Sequence, residues 1–220
     1  MAPTLKLERE LWATGLRHVA GIDEAGRGAL AGPVIAAAVV VPPGSLLQGV
    51  WASVRDSKTL SARQREALEP EIKRQALAWA VCEVGCGEVD ELGIAFATRR
   101  AMVGALTALA IHTDALIIDW VRLPMINLPQ HVLTKADATV VSVAAASILA
   151  KVARDRGMVV VSDAYPDYGF DQHKGYGTPG HFAAIGRLGP CPLHRRTFAP
   201  FAEAATLFDP PPLESDLDDG

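Results

Sequence analysis

The chain has 220 residues, half of them apolar, and a formal net charge of -4 from 21 basic and 25 acidic side chains. That size suits one domain with a substantial core, and no uninterrupted apolar run is long enough to cross a bilayer. The opening stretch MAPTLKLERE lacks the basic start, apolar middle and small-residue cleavage site of a signal peptide, so a cytoplasmic protein without membrane association is expected.

Residues 1–17 read as an N-terminal extension, and 18–205 as the main domain. Val19 to Asp23 and Val34 to Val41 are apolar and often β-branched, with GRGALAGP between them and PPG after, which predicts two strands joined by a turn. A third strand is expected over Ala76 to Val84. Cys82 and Cys86 would stand about 13 Å apart along such a strand, too far to bridge. With Cys191 they make neither a disulfide framework nor a zinc motif. Asp90 to Ile111, rich in alanine and leucine and free of proline, predicts a helix. ALIID at 115–119 reads as a short buried strand ending in an acid, and Pro124 and Pro129 interrupt regular structure after it.

Thr139 to Arg156 is the strongest helical pattern, because Val141, Ala145, Ile148 and Val152 fall on one face, and Gly157 suits its C-terminal cap. Residues 162–181 are dense in glycine, proline and tyrosine and predict an ordered functional loop that opens a further helix near Pro179. The stretch from about 157 to 205 thus forms a C-terminal helical region. Residues 206–220 read as an acidic, disordered tail. Six of the acids lie in 197–220, where there is no lysine or arginine, which leaves 19 acids against all 21 basic residues elsewhere. A local basic groove is therefore allowed. Strands first and then strands alternating with helices imply an α/β domain with a mixed sheet.

The acids carry the chemistry. GRGALAG superficially suggests a dinucleotide-binding turn. Its spacing is one residue too long, however, Pro33 breaks the required helix, and two adjacent carboxylates would repel a pyrophosphate. Asp23 and Glu24 close one apolar strand, Asp119 closes another, and Asp137 precedes the strongest helix. Side chains at the ends of α/β strands converge on common sites, and four such acids suit magnesium or manganese. Taken singly, Asp137 could simply favour a helix N-terminus, worth about 0.3 to 1 kcal/mol, Asp119 could be a turn residue and Glu24 a surface acid. Asp23 is harder to explain without a partner, since it adjoins a buried strand. Neighbouring strand residues point to opposite faces. The expectation is therefore that the backbone leaves the strand at Ala25 and Gly26, so that Glu24 turns back toward Asp23.

GIDEAGRGALAGPVIAAAVV, DSKTL at 56–60, SVAAASILAKVARD at 142–155, YPDYGFDQHKGYGTPGH at 165–181 and HRRTFAP at 194–200 closely resemble, in the same order, the motifs of ribonuclease HII. The resemblance runs from about residue 18 to 200. It implies a ribonuclease H-like fold, a central mixed five-stranded sheet flanked by helices with a C-terminal helical extension. It also implies an endonuclease that cuts on the 5′ side of a ribonucleotide, in RNA/DNA hybrids or embedded in duplex DNA, using two Mn2+ or Mg2+ ions.

Carried over by motif, Asp23, Glu24, Asp119 and Asp137 are the metal-binding and catalytic residues. Gly26, Arg27 and Gly28 contact the ribonucleotide's 2′-hydroxyl and neighbouring phosphate, and Tyr176 stacks near the following deoxyribose. Lys58, Lys151, Arg154 and Lys174 are expected phosphate contacts, although Lys151 and Arg154 also suit the end of a helix and Arg154 could pair with Asp155. Two departures touch the acids: the family usually has glycine and asparagine after the third acid, where this chain has Trp120 and Val121, and often glycine before the fourth, where it has Ala136. A monomer is expected, with Leu207 and Phe208 in the tail as a candidate motif for docking a sliding clamp.

Overall fold

The computed structural model describes residues 2–202. Five strands form one sheet: β1 (Val19–Ala25), β2 (Val34–Val40), β3 (Ala78–Val84), β4 (Ala115–Asp119) and β5 (Gln130–Leu133), in the order β3-β2-β1-β4-β5. β2 pairs antiparallel with both β1 and β3, whereas β4 runs parallel to both β1 and β5. The sheet is therefore mixed, as expected. β2 is buried along its whole length and β1 almost so, which is why both read as continuous apolar runs rather than alternating ones.

The helices are α1 (Lys6–Ala13), α2 (Val50–Ser53), α3 (Ala62–Gln75), α4 (Cys86–Leu92), α5 (Ile94–Thr107), α6 (Val141–Ser162), α7 (Phe170–His173) and α8 (Pro179–Leu188). Short 3-10 turns span Ser57–Thr59, Ala136–Ala138 and Pro166–Tyr168. On one face of the sheet Ala97, Ala101 and Met102 of α5 pack with Ala20, Ile22 and Ile118. On the other face Val141, Ala145, Ile148 and Val152 of α6 pack with Ile35, Ala37 and Val39. Gly21 sets how closely α6 approaches, because a Cβ there would overlap the backbone of Ser142. The start of α6 thereby lies directly against β1.

Several sequence expectations are corrected. The helix expected over 90–111 is two helices, broken at Gly93, whose φ of 77° suits glycine and not the residues around it. α6 does not end at Gly157 but continues to Ser162, because Met158 is buried with Ala31, Phe170 and Cys191 and stabilises the extra turns. β5 and α3 had no counterpart in the sequence reading. Residues 2–17, set apart there as an extension, are packed into the domain. Leu5 and Leu11 are buried, Thr4 bridges to Val140, and the buried Glu8 accepts a 2.9 Å hydrogen bond from the Ser142 N–H at the start of α6. Among the described residues no helix is long and apolar enough to cross a membrane, and Cys82, Cys86 and Cys191 are free thiols. The acidic tail at 206–220, with Leu207 and Phe208, lies outside the described residues.

Candidate active site

Sheet register explains why acids far apart in sequence meet. Ile22 of β1 lies opposite Ile118 of β4 in a parallel pair, so Asp23 and Asp119, one residue further on, flank each other at the ends of adjacent central strands. Both share the α6 face with Val19 and Ile117. Asp137 belongs to the 3-10 turn at Ala136–Ala138, immediately before α6. Asp119 fixes that turn, since its Oδ1 accepts a 2.9 Å hydrogen bond from the Ala136 N–H. One acid thus positions the loop that carries another.

β1 runs two residues past Asp23: Glu24 is in register with Ala36 and Ala25 with Ile35, and the chain turns at Gly26, with φ of 89°, where the exit from the strand is expected. The pleat starts Glu24 on the α5 side, yet its carboxyl comes within reach of the Asp23 carboxyl and also faces the charge of Asp119, so the two neighbouring acids do meet. There the indole N–H of Trp120 donates to both its carboxylate oxygens, at 3.0 and 3.2 Å. Trp120 itself holds a left-handed backbone, φ 50°, which costs a side-chain-bearing residue about 1 to 2 kcal/mol.

The charges act on one another. Burial, then repulsion from Glu24, Asp119 and Asp137, pushes the Asp23 carboxyl well above its ordinary value, and the hydrogen bond from the Glu24 N–H only partly offsets this. Burial also raises Glu24, helped by Asp119 and opposed by the Trp120 N–H and Arg27. Asp137 rises through burial and the nearby Asp56, against the pull of Lys58. Lys58 responds in kind: desolvation disfavours its charge, yet the combined attraction of Asp137, Asp56, Asp23 and Asp119 outweighs this and raises it. Its ammonium stands 3.7 Å from Asp137 Oδ2.

A cation is therefore already drawn to this group of acids, and an all-carboxylate donor set of this kind fits hard divalent ions. Among the described residues, no three histidine, cysteine or acidic groups stand close enough together to hold one ion as they are. The four acids are neighbours in charge, with oxygens engaged by Ala136, Glu24, Trp120 and Lys58, rather than an assembled cage.

Beside them lies a cleft of about 470 Å3 framed by Glu24, Gly26, Arg27, Gly28, Lys58 and Tyr176. Its turn is held from inside by two fully buried arginines. Arg154 donates to the carbonyls of Ala31 (3.0 Å), Pro33 (3.0 Å) and Lys174 (2.9 Å). Arg195 donates to Gly32 O (2.8 Å from Nη2, 3.0 Å from Nε) and to Arg27 O (2.9 Å). Desolvation and the neighbouring Arg154 lower the Arg195 guanidinium to about 10. Gly175 docks the HKGYGT loop on the same turn: its carbonyl accepts from Leu30 and Ala31, and a Cβ there would overlap Ala31 O. That docking brings Tyr176 to the cleft. With the carbonyls drawn inward, the N–H groups of Arg27 and Gly28 have no backbone partner among the described residues.

The basic residues divide. Arg154, expected as a phosphate contact, is sealed inside and directs its donors to backbone carbonyls, and its extended helix puts it in mid-helix rather than at a terminus. Asp155 pairs with Lys151 at 2.6 Å and Arg65 at 3.2 Å rather than with Arg154. Lys151 and Tyr176 border both the cleft and an adjoining depression of about 600 Å3, which Lys174 also lines. The Lys174 ammonium bonds the Asp171 carbonyl. Lys58 is exposed at the cleft. Three residues were missed by the sequence reading: Asp56, Trp120 and Arg195. Asp56 and Arg195 lie inside the DSKTL and HRRTFAP motifs, and Trp120 stands out as a departure beside Asp119, but nothing local in the sequence announces their contacts.

Comparison with known proteins identifies the family. The family model described as ribonuclease HII matches residues 20–201. The ribonuclease HII of Chloroflexus aurantiacus is 51% identical over 93% of this chain and 97% of its own length. That of Halalkalibacterium halodurans is 47% identical over 91% of this chain and 74% of its own. Among solved structures, ribonuclease H2 from Pyrococcus horikoshii superimposes with a TM-score of 0.73 at 27% identity, covering 86% of this chain and 98% of that one. The ribonuclease HII of Archaeoglobus fulgidus, solved in complex with PCNA, gives 0.67 at 25% identity over 87% and 97%. Sharing about half its residues with these relatives over most of its length, and the fold with these structures, the chain belongs to the ribonuclease HII family and is a ribonuclease H, a hydrolase of the nuclease class.

Proposed function

We propose that this ribonuclease H cuts the phosphodiester on the 5′ side of a ribonucleotide, both in RNA/DNA hybrids and at ribonucleotides embedded in duplex DNA, with Asp23, Glu24, Asp119 and Asp137 holding two Mn2+ or Mg2+ ions. The observation that carries this reading is the meeting of carboxylates at the ends of adjacent strands beside the cleft, with the Lys58 ammonium drawn to 3.7 Å from Asp137 Oδ2. When bound, divalent ions would neutralise the phosphodiester, activate water and stabilise the leaving oxygen.

The chain's own residues do the rest. Asp119 holds the Asp137 turn. Arg27 and Gly28 offer N–H groups at the cleft, and backbone groups read a sugar hydroxyl without reading bases. Tyr176 presents a ring for the adjacent deoxyribose, and Lys58, Lys151 and Lys174 attract phosphates. The protein acts as a cytoplasmic monomer in this reading. A ribonuclease HII solved with PCNA lends support to clamp docking through Leu207 and Phe208, which binding measured after deletion of residues 205–220 tests.

The deciding assay uses a duplex with one embedded ribonucleotide beside an all-DNA duplex, each with Mg2+, Mn2+ or chelator. The expected result is metal-dependent cleavage 5′ to the ribonucleotide only, leaving a 3′-hydroxyl and a 5′-phosphate. Cleavage of both duplexes overturns the proposal.

A further inference from the structure

Trp120 occupies an unusual position for an aromatic residue. It follows Asp119 at the end of β4, and its φ of 50° is one that glycine would adopt without steric cost. Its side chain makes two contacts that no smaller residue could make together. The indole N–H holds both oxygens of Glu24, at 3.0 and 3.2 Å. The guanidinium of Arg27 lies over the ring, 3.9 Å from its centroid. Arg27 is otherwise an exposed residue on the GRG turn, with a long side chain that nothing else among the described contacts fixes.

We propose that Trp120 is a positioning residue that couples the catalytic acid Glu24 to the substrate-reading turn, gripping the acid by its N–H edge and Arg27 by its ring face. This rests on the roles given to Glu24 and Arg27 above. One planar side chain thereby sets the distance between the group that serves the metal and the group that meets the nucleic acid. Glu24 needs such a holder, because the pleat starts it on the α5 side while its carboxyl stands beside the like-charged Asp23 and Asp119.

Two substitutions separate the two grips. W120F keeps a ring for Arg27 but removes the donor to Glu24, whereas W120G removes both and suits the backbone. W120F should lower kcat about tenfold with KM within about twofold. W120G should lower kcat similarly and also raise KM about three- to tenfold, as the cation–π grip is lost.

A readout independent of turnover comes from the four indole N–H resonances expected from the four tryptophans. The one absent in W120F is that of Trp120, and it should shift in E24Q and on addition of Mg2+ more than the other three. The proposal is overturned if W120F keeps wild-type kcat, or if that resonance is unmoved in E24Q. Should the wild type fail to cut 5′ to a ribonucleotide, the proposed function falls, while the indole resonance still decides whether Trp120 grips Glu24.

Discussion

Replacing Gly28 with alanine separates recognition from folding. Gly28 is exposed, its backbone is not left-handed, and an added Cβ meets nothing within 4 Å. The fold should therefore be unchanged to within about 0.5 kcal/mol. If nucleic acid lies against the turn, the new methyl group holds it off the backbone, and one hydrogen bond to a charged or strongly polar group is lost. Such a bond is worth about 1.5 to 3 kcal/mol, so kcat/KM on a duplex with one ribonucleotide should fall roughly ten- to hundredfold.

Gly26→Ala provides the contrast. There φ is 89°, and a Cβ would overlap the Arg154 side chain and come 2.7 Å from Pro33 O. Left-handed strain of about 1 to 2 kcal/mol and overpacking of about 1 to 3 kcal/mol predict a loss of about 2 to 5 kcal/mol in stability. Urea unfolding and steady-state cleavage of both variants are the assays. Gly28→Ala with unchanged kcat/KM and unchanged urea midpoint would falsify contact between turn and substrate.

Three further outcomes are expected. Asp119→Asn should keep the fold, because the amide oxygen can still accept from Ala136 N–H, yet reduce cleavage by at least about a hundredfold, since even loss of an outer partner of a metal ligand costs about ten- to a hundredfold; near-normal turnover with a wild-type urea midpoint would contradict it. Burial and mutual repulsion raise Asp23, Glu24 and Asp137 in the folded state, so the folded protein binds more protons than the unfolded chain above the ordinary carboxylate range, and metal-free stability should fall as pH rises through the raised values. Mg2+ at a hundredfold excess over its dissociation constant should restore about 2.7 kcal/mol at pH 8, a rise in Tm of roughly 5 to 10 °C for a chain of this size. A melting curve indifferent to both pH and Mg2+ would count against the acid site. Arg154→Met should cost about 3 kcal/mol in urea unfolding, because three carbonyls lose their donors at about 1 to 3 kcal/mol each, offset by relief of a desolvated charge. It should leave the salt dependence of nucleic-acid binding in the surviving fold unchanged; a shallower salt slope would return Arg154 to the phosphate contacts.

The parts of this architecture that were legible in the sequence are those set by local pattern. β1, β2 and β4 are buried on both faces and read as apolar runs, and α6 showed its stripe from Val141 to Val152. α3 went unread because its hydrophobic face is thin and Pro70 lies within it, although Ser61 and Gln64 spell out the capping box that starts it. α6 runs past Gly157, a residue type that often stops a helix, because its extra turns are stabilised at Met158 by contacts with residues remote in sequence.

The same blindness governs the site. Asp23, Asp119 and Asp137 could be grouped from their positions at element ends. The side on which Glu24 points, and what holds it, depend on register and on an indole that no periodicity announces. Arg154 had the composition of a surface helix terminus and the environment of a core residue.

The carbonyls of Arg27 and Gly32, on the turn after β1, find their donors on Arg195, beyond α8. The turn after β1 is thus braced from the far end of the chain. A protein cut short after α8 would keep the strands that carry its carboxylates but leave the carbonyls of Arg27 and Gly32 without their donors.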